Sequence, residues 1–241
     1  MKRNSVLFGA ATMLAAISCL SATPLPQTAV GTDKNVLVSN EDLQVLAGGG
    51  LGGTLDGFST YFWCVDYEHL TALDNPYTAN VVALGNWTAE EKNQVQKGNN
   101  TNWGLASPDL SVLQRYQVAA YLLSQMSTYQ TLTPQTGSVR TADENLQLSL
   151  WKVLNQGTPT AVSPSPYNMA PLDAAVSYVQ SNPTYGFGAW AVVSGISSGG
   201  ELTQTARQTF LVALAPVPEP AAYALIGLGL GAVAFIGRKK A

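Results

Sequence analysis

The stretch PVPEPAAYALIGLGLGAVAFIGRKKA, Pro216 to Ala241, limits this chain more than any other. Ala221 to Gly237 carries no charge over 17 residues. As a helix it would rise about 1.5 Å per residue and reach about 25 Å, close to the hydrocarbon thickness of a bilayer. Its glycines and alanines (Gly227, Gly229, Gly231, Ala232, Ala234) suit a membrane helix better than a soluble one. Arg238, Lys239 and Lys240 follow at once, which places the C-terminus on the cytoplasmic side by the positive-inside rule. Ahead of the apolar run, Pro218-Glu219-Pro220 stays extended, because proline fixes φ and lacks an N–H. The segment therefore lies outside any water-soluble core. Composition alone leaves two uses open, a lasting anchor and a removable address.

Pro218-Glu219-Pro220, a short apolar helix and a terminal basic cluster, in that order, resemble the PEP-CTERM sorting signal over the last 26 residues. The resemblance implies an exopolysaccharide-producing Gram-negative bacterium. It also implies processing near Pro218-Glu219-Pro220 by an exosortase, so that residence in the inner membrane is transient and the body ends at the cell surface or outside it.

The N-terminus reads the same way. Lys2 and Arg3 precede the mostly apolar Val6 to Leu20, and small residues Ser21 and Ala22 precede Thr23. This is the pattern of a secretory signal peptide, with cleavage expected between Ala22 and Thr23 by signal peptidase after export. Ala16-Ile17-Ser18-Cys19 leaves a lipidated Cys19 as the alternative.

Charge matters once the ends are set aside. Five of the twelve basic residues (Lys2, Arg3, Arg238, Lys239, Lys240) and one of the fifteen acidic ones (Glu219) lie in the terminal segments. Seven basic and fourteen acidic residues remain, a net charge of −7. Such a body does not suit nucleic acid or an anionic membrane surface. The expected organisation is a signal peptide over 1–22, a flexible leader over 23–53 ending in Gly48-Gly49-Gly50-Leu51-Gly52-Gly53, one extracytoplasmic domain over 54–215, and the sorting segment with its transmembrane helix over 216–241.

Within 54–215, Phe58 to Tyr67 and Tyr77 to Leu84 read as strands. Thr88 and Glu91 form a capping box opening a helix through Lys97, and Ser107-Pro108-Asp109 opens a second helix containing Leu110, Leu113, Val118, Tyr121 and Leu122. Thr141 and Glu144 suggest a third helix to about Asn155, and Pro171 to Gln180 a fourth. Trp190 to Ile196 and Thr205 to Ala215 read as late strands. The expected class is α+β: strands at both ends of a single domain with a helical insert.

With Cys19 in the signal peptide, Cys64 stands alone in the mature chain, which excludes an internal disulfide. Flanked by Phe62 and Trp63, it reads as a small buried hydrophobe, a nucleophile, or one half of a crosslink. On the third helix, Leu146, Leu150, Val153 and Leu154 share a face, and Gln147 falls on it with Trp151 at its border. A buried glutamine needs partners, at a cost of about 1–3 kcal/mol if it has none. It is either satisfied by backbone groups of a neighbouring strand or chemically altered.

Phe62-Trp63-Cys64 followed by Gln147-Leu148-Ser149-Leu150-Trp151 resembles the thioester domain of Gram-positive surface adhesins, over roughly residues 58–156. The resemblance implies condensation of the Cys64 thiol with the Gln147 carboxamide, loss of ammonia, and a thioester able to acylate an amine-bearing surface polymer. Phe62, Trp63 and Trp151 would surround it. Leu146, Ser149, Leu150 and Val65 depart from the family's usual residues at those positions.

The one histidine, His69, and Cys64 would point to opposite faces of a single strand, against a Cys–His catalytic pair. Asp66 and Glu68 share the face of Cys64 but fall far short of a calcium ligand set. No phosphate loop, zinc spacing or paired-carboxylate pattern appears, so no metal, cofactor or catalytic residue is assigned. Three functions follow, none involving turnover except the last. They are an exosortase-sorted matrix protein that binds exopolysaccharide without covalent chemistry, a covalent adhesin, and a hydrolase of extracellular polymer.

Overall fold

A computed structural model describes residues 24–42, 50–66, 73–85, 87–95, 110–127, 129, 136–154, 170–183, 187–196 and 208–214. Six strands are described: β1 (Gly31–Asp42), β2 (Gly50–Leu55), β3 (Phe58–Cys64), β4 (Tyr77–Ala83), β5 (Trp190–Gly195) and β6 (Phe210–Ala213). They close into one antiparallel barrel in the order β1-β2-β3-β6-β5-β4. Among the described residues, four α-helices lie between β4 and β5 in the chain: α1 (Ala89–Asn93), α2 (Val112–Ser124), α3 (Gly137–Leu154) and α4 (Ala170–Ser181). Helix α2 packs on both α3 and α4, and α3 packs on α4.

This overturns the expected α+β class. Strands do occur early and late in the sequence, but they form a single closed wall. Closure needs β1 and β2, which come from residues assigned to a flexible leader. β1 pairs with β2 on one side and β4 on the other, so neither end of the sheet is left with an unpaired edge. The expected C-terminal transmembrane helix, Ala221 to Gly237, lies outside the described residues. Among the described residues, no helix is long and apolar enough to cross a membrane.

The glycines that suggested a linker are there for packing. A Cβ at Gly53 would stand 2.2 Å from the Leu37 carbonyl oxygen and 2.9 Å from the Phe62 ring. One at Gly50 would meet the Trp63 indole at 3.0 Å. Glycine in β2 thus lets two large aromatic side chains of β3 lie across the neighbouring strand. A two-residue turn, Asp56-Gly57, joins the pair with φ of 49° and 82°. Positive φ at both positions matches the twist of a tight hairpin. Asp56 Oδ1 accepts from Asn35 N–H at 2.9 Å, fixing the turn against β1.

Alternation sorts the side chains. The registers Val36↔Leu55, Cys64↔Phe210, Val193↔Phe210 and Val81↔Val193 put Val36, Leu55, Phe62, Cys64, Phe210, Val193 and Val81 on one face. All are buried. Trp63, Leu211, Val192 and Val82 share the other face and are buried too. On that side Trp63 meets Tyr129 at 5.4 Å, and Tyr129 meets Trp190 at 5.0 Å.

Helix starts follow local chemistry, with some shifts. Thr88 caps α1 and Glu91 completes the box, as the sequence suggests. Helix α2 starts later than Ser107: Ser111 is its cap, with Gln114 as the reciprocal partner. Thr141 caps nothing, because α3 begins at Gly137; its hydroxyl donates to Gly137 O at 3.2 Å. Glu144 instead pairs with Arg140 one turn back, at 2.8 Å.

Candidate functional site

Cys64 is the last residue of β3, where the strand pair β3–β6 ends against α3. Val65 N–H donates to Thr209 O at 3.1 Å, which continues the pairing past the strand and sets Asp66 opposite Gln208. With a period of two, Cys64, Asp66, Gln208 and Phe210 share one face, and Gln208 is the diagonal neighbour of Cys64. Phe62, two residues back on that face, meets Phe210 edge-on at 5.6 Å.

Gln208 is the residue that meets the thiol. Its Nε2 donates to Cys64 Sγ and, at 2.7 Å, to Asp66 O. The Cys64 thiol itself faces the same carbonyl, Sγ to Asp66 O at 3.6 Å. Gln147 reaches the same cysteine from α3, but at its backbone: Nε2 donates to Cys64 O at 2.9 Å. Trp151, one helical turn beyond Gln147, contributes its indole beside the thiol. Gln147, Gln208, Trp151 and Cys64 are all buried, and Asp66 is fully so.

The structure places the Gln147 amide at the Cys64 backbone carbonyl, Trp151 beside the thiol, and Phe62 two residues back on the face of Cys64. Trp63 is adjacent in sequence but projects to the opposite face, over Gly50 and against Tyr129. Sequence reasoning missed Gln208. A signal was available: a lone glutamine two positions before the apolar run Phe210-Leu211-Val212, on a late strand expected to pair somewhere in the sheet.

Burial raises the Cys64 thiol from an ordinary 9.0 to about 12, against the opposing pull of hydrogen bonding with the Asp66 backbone, Trp151 and Gln208. The Asp66 charge adds to the rise. Burial, again helped by Asp66, holds the Tyr116 hydroxyl firmly neutral. The site keeps its sulfur protonated at neutral pH, buried and in contact with a carboxamide. Such a setting does not generate a free thiolate.

His69, Glu68, Ala22, Thr23, Cys19, Pro218, Glu219, Pro220, Arg238, Lys239 and Lys240 lie outside the described residues. Among the described residues, no three His, Cys, Asp or Glu side chains converge as a metal site would require.

The family comparison places a PEP-CTERM protein-sorting motif at residues 216–240. The chain thus carries the C-terminal signal that an exosortase processes on exported, surface-directed proteins. No curated protein matches the chain. No solved structure matches it.

Proposed function

We propose that this protein is exported, held briefly in the inner membrane by its sorting segment with the C-terminus cytoplasmic, and released to the surface as a covalent adhesin. Its barrel would carry an internal thioester at Cys64. The observation that supports this best is the Gln208 carboxamide lying against the Cys64 sulfur at a buried site.

The chemistry balances without a cofactor. Sulfur attacks Cδ of the glutamine, the C–N bond breaks, and the thiol proton leaves with the amide nitrogen as ammonia. An incoming primary amine then attacks the same carbon, a C–N bond forms, and sulfur regains a proton. The product is an amide linking the protein to its target, an amine-bearing surface polymer. Gln208 is taken over Gln147 as acyl donor because its amide meets the Cys64 sulfur, whereas the amide of Gln147 meets the Cys64 backbone carbonyl. Mass spectrometry of the purified protein tests this reading. A deficit of one ammonia, mapped to a Cys64–Gln208 crosslink and reversed by methylamine, supports it; the full calculated mass removes it.

The second reading is a matrix protein that binds exopolysaccharide without covalent chemistry. It is favoured by the hydrogen bonds that the Gln208 and Gln147 amide nitrogens donate to backbone carbonyls, which suit glutamines left as amides beside an inert core thiol.

A further inference from the structure

Gln147 has a polar atom to spare. Its Nε2 is committed to the Cys64 carbonyl, which fixes the orientation of the amide. Its Oε1, on the same carbon, accepts no hydrogen bond among the described residues, although the residue is only 2% exposed. A buried acceptor without a donor costs about 1–3 kcal/mol. Closing a thioester supplies no donor, since the reaction removes an NH2 group. An attacking primary amine does supply one.

We infer that Gln147 Oε1 accepts an N–H from the amine that attacks the thioester, and so selects primary amines over other nucleophiles. This rests on the thioester reading. A primary amine carries two N–H bonds. As nitrogen bonds to Cδ of Gln208 and the C–S bond breaks, one proton passes to the departing sulfur. The other stays on nitrogen, held by Gln147, and becomes the N–H of the product amide. Gln147 takes no proton; it orients the nucleophile and stabilises the product. A secondary amine gives up its one N–H and leaves the acceptor unpaired. A thiol brings no N–H at all. Sites built around one unpaired polar group discriminate in this way.

The test uses the full-length protein, with methylamine, dimethylamine and 2-mercaptoethanol as probes and an alkyl thioester as reference. Loss of the ammonia deficit is followed by intact mass. Gln147→Met should keep the deficit, lose about tenfold or more in methylamine rate, the equivalent of one hydrogen bond, and keep its thiol exchange rate. Equal slowing toward both nucleophiles would mean a structural role and would overturn the inference. A folded Gln147→Met without a deficit would also overturn it, by making Gln147 the acyl donor. Where that variant does not fold, the wild-type protein decides. Its preference for methylamine over dimethylamine should exceed that of the reference by about tenfold. An equal preference counts against the inference. A wild-type protein with no deficit removes the thioester reading, and this inference with it.

Discussion

The side-chain amide of Gln147 donates to the backbone carbonyl of Cys64 at 2.9 Å, across 83 positions of sequence. It fastens helix α3 to the end of strand β3. It also spends the amide on the backbone, and leaves the sulfur to Gln208, which approaches from the neighbouring strand. Two glutamines meet one cysteine, one at its carbonyl and one at its thiol. That division is the reason the proposed thioester is assigned to Gln208.

Replacing the donor group without changing its shape separates chemistry from packing. Gln208→Glu has no ammonia to lose, so its intact mass should equal the calculated value. The Asp66 carbonyl would lose its 2.7 Å donor. Urea unfolding should show a loss of about 1–3 kcal/mol. An ammonia deficit persisting in this variant would reassign the acyl donor.

Glycine in β2 should be graded in importance by clearance. Gly53→Ala drives a methyl into the Leu37 carbonyl at 2.2 Å, a backbone atom that cannot step aside. It should destabilise by about 3 kcal/mol or more. Gly50→Ala meets the Trp63 ring at 3.0 Å, and a side chain can yield, so about 1 kcal/mol is expected. Denaturant midpoints of the two variants should fall in that order.

The cap of α2 is a local test of the helical layer. Ser111 Oγ accepts from Gln114 N–H at 3.2 Å, and Gln114 returns the bond to Ser111 N–H at 2.9 Å. Ser111→Ala should cost about 1 kcal/mol in thermal or denaturant unfolding. Any thioester should be unaffected.

Once methylamine has released the thiol, stability should depend on pH through Cys64. Burial raises the folded thiol to about 12 from an ordinary 9.0. The unfolded chain therefore gives up its proton first. The contribution is complete below pH 9.0 and is lost as pH rises from there toward about 12. Unfolding midpoints should decline over that window, and iodoacetamide should label the folded thiol slowly at pH 8. A Cys64→Ala protein should lack this part of the decline.

Much of the site was legible because it rests on local pattern. Cys64 between aromatics and a glutamine on the apolar face of a helix are visible in the residues themselves, and the structure joins them. Gln208 was not, because its role depends on β6 lying beside β3, a pairing across 144 positions that no local signal specifies. The barrel was hidden for a different reason. Glycine-rich sequence lowers strand propensity, and Gly48 to Gly53 reads as a linker until Phe62 and Trp63 are seen to need the space. Asp56-Gly57 was a readable hairpin turn that would have exposed β2. Thr141 shows the opposite failure, a capping box in sequence that falls inside a helix begun one turn earlier.

The most direct measurement is the intact mass of the purified protein under non-reducing, amine-free conditions, before and after methylamine, beside Cys64→Ala. A thioester at Cys64 predicts a mass short by one ammonia, a gain of one methylamine on treatment, and no deficit in Cys64→Ala. A full calculated mass, with Cys64 alkylated once the chain is unfolded, would contradict it and leave a sorted protein whose cysteine serves its core alone.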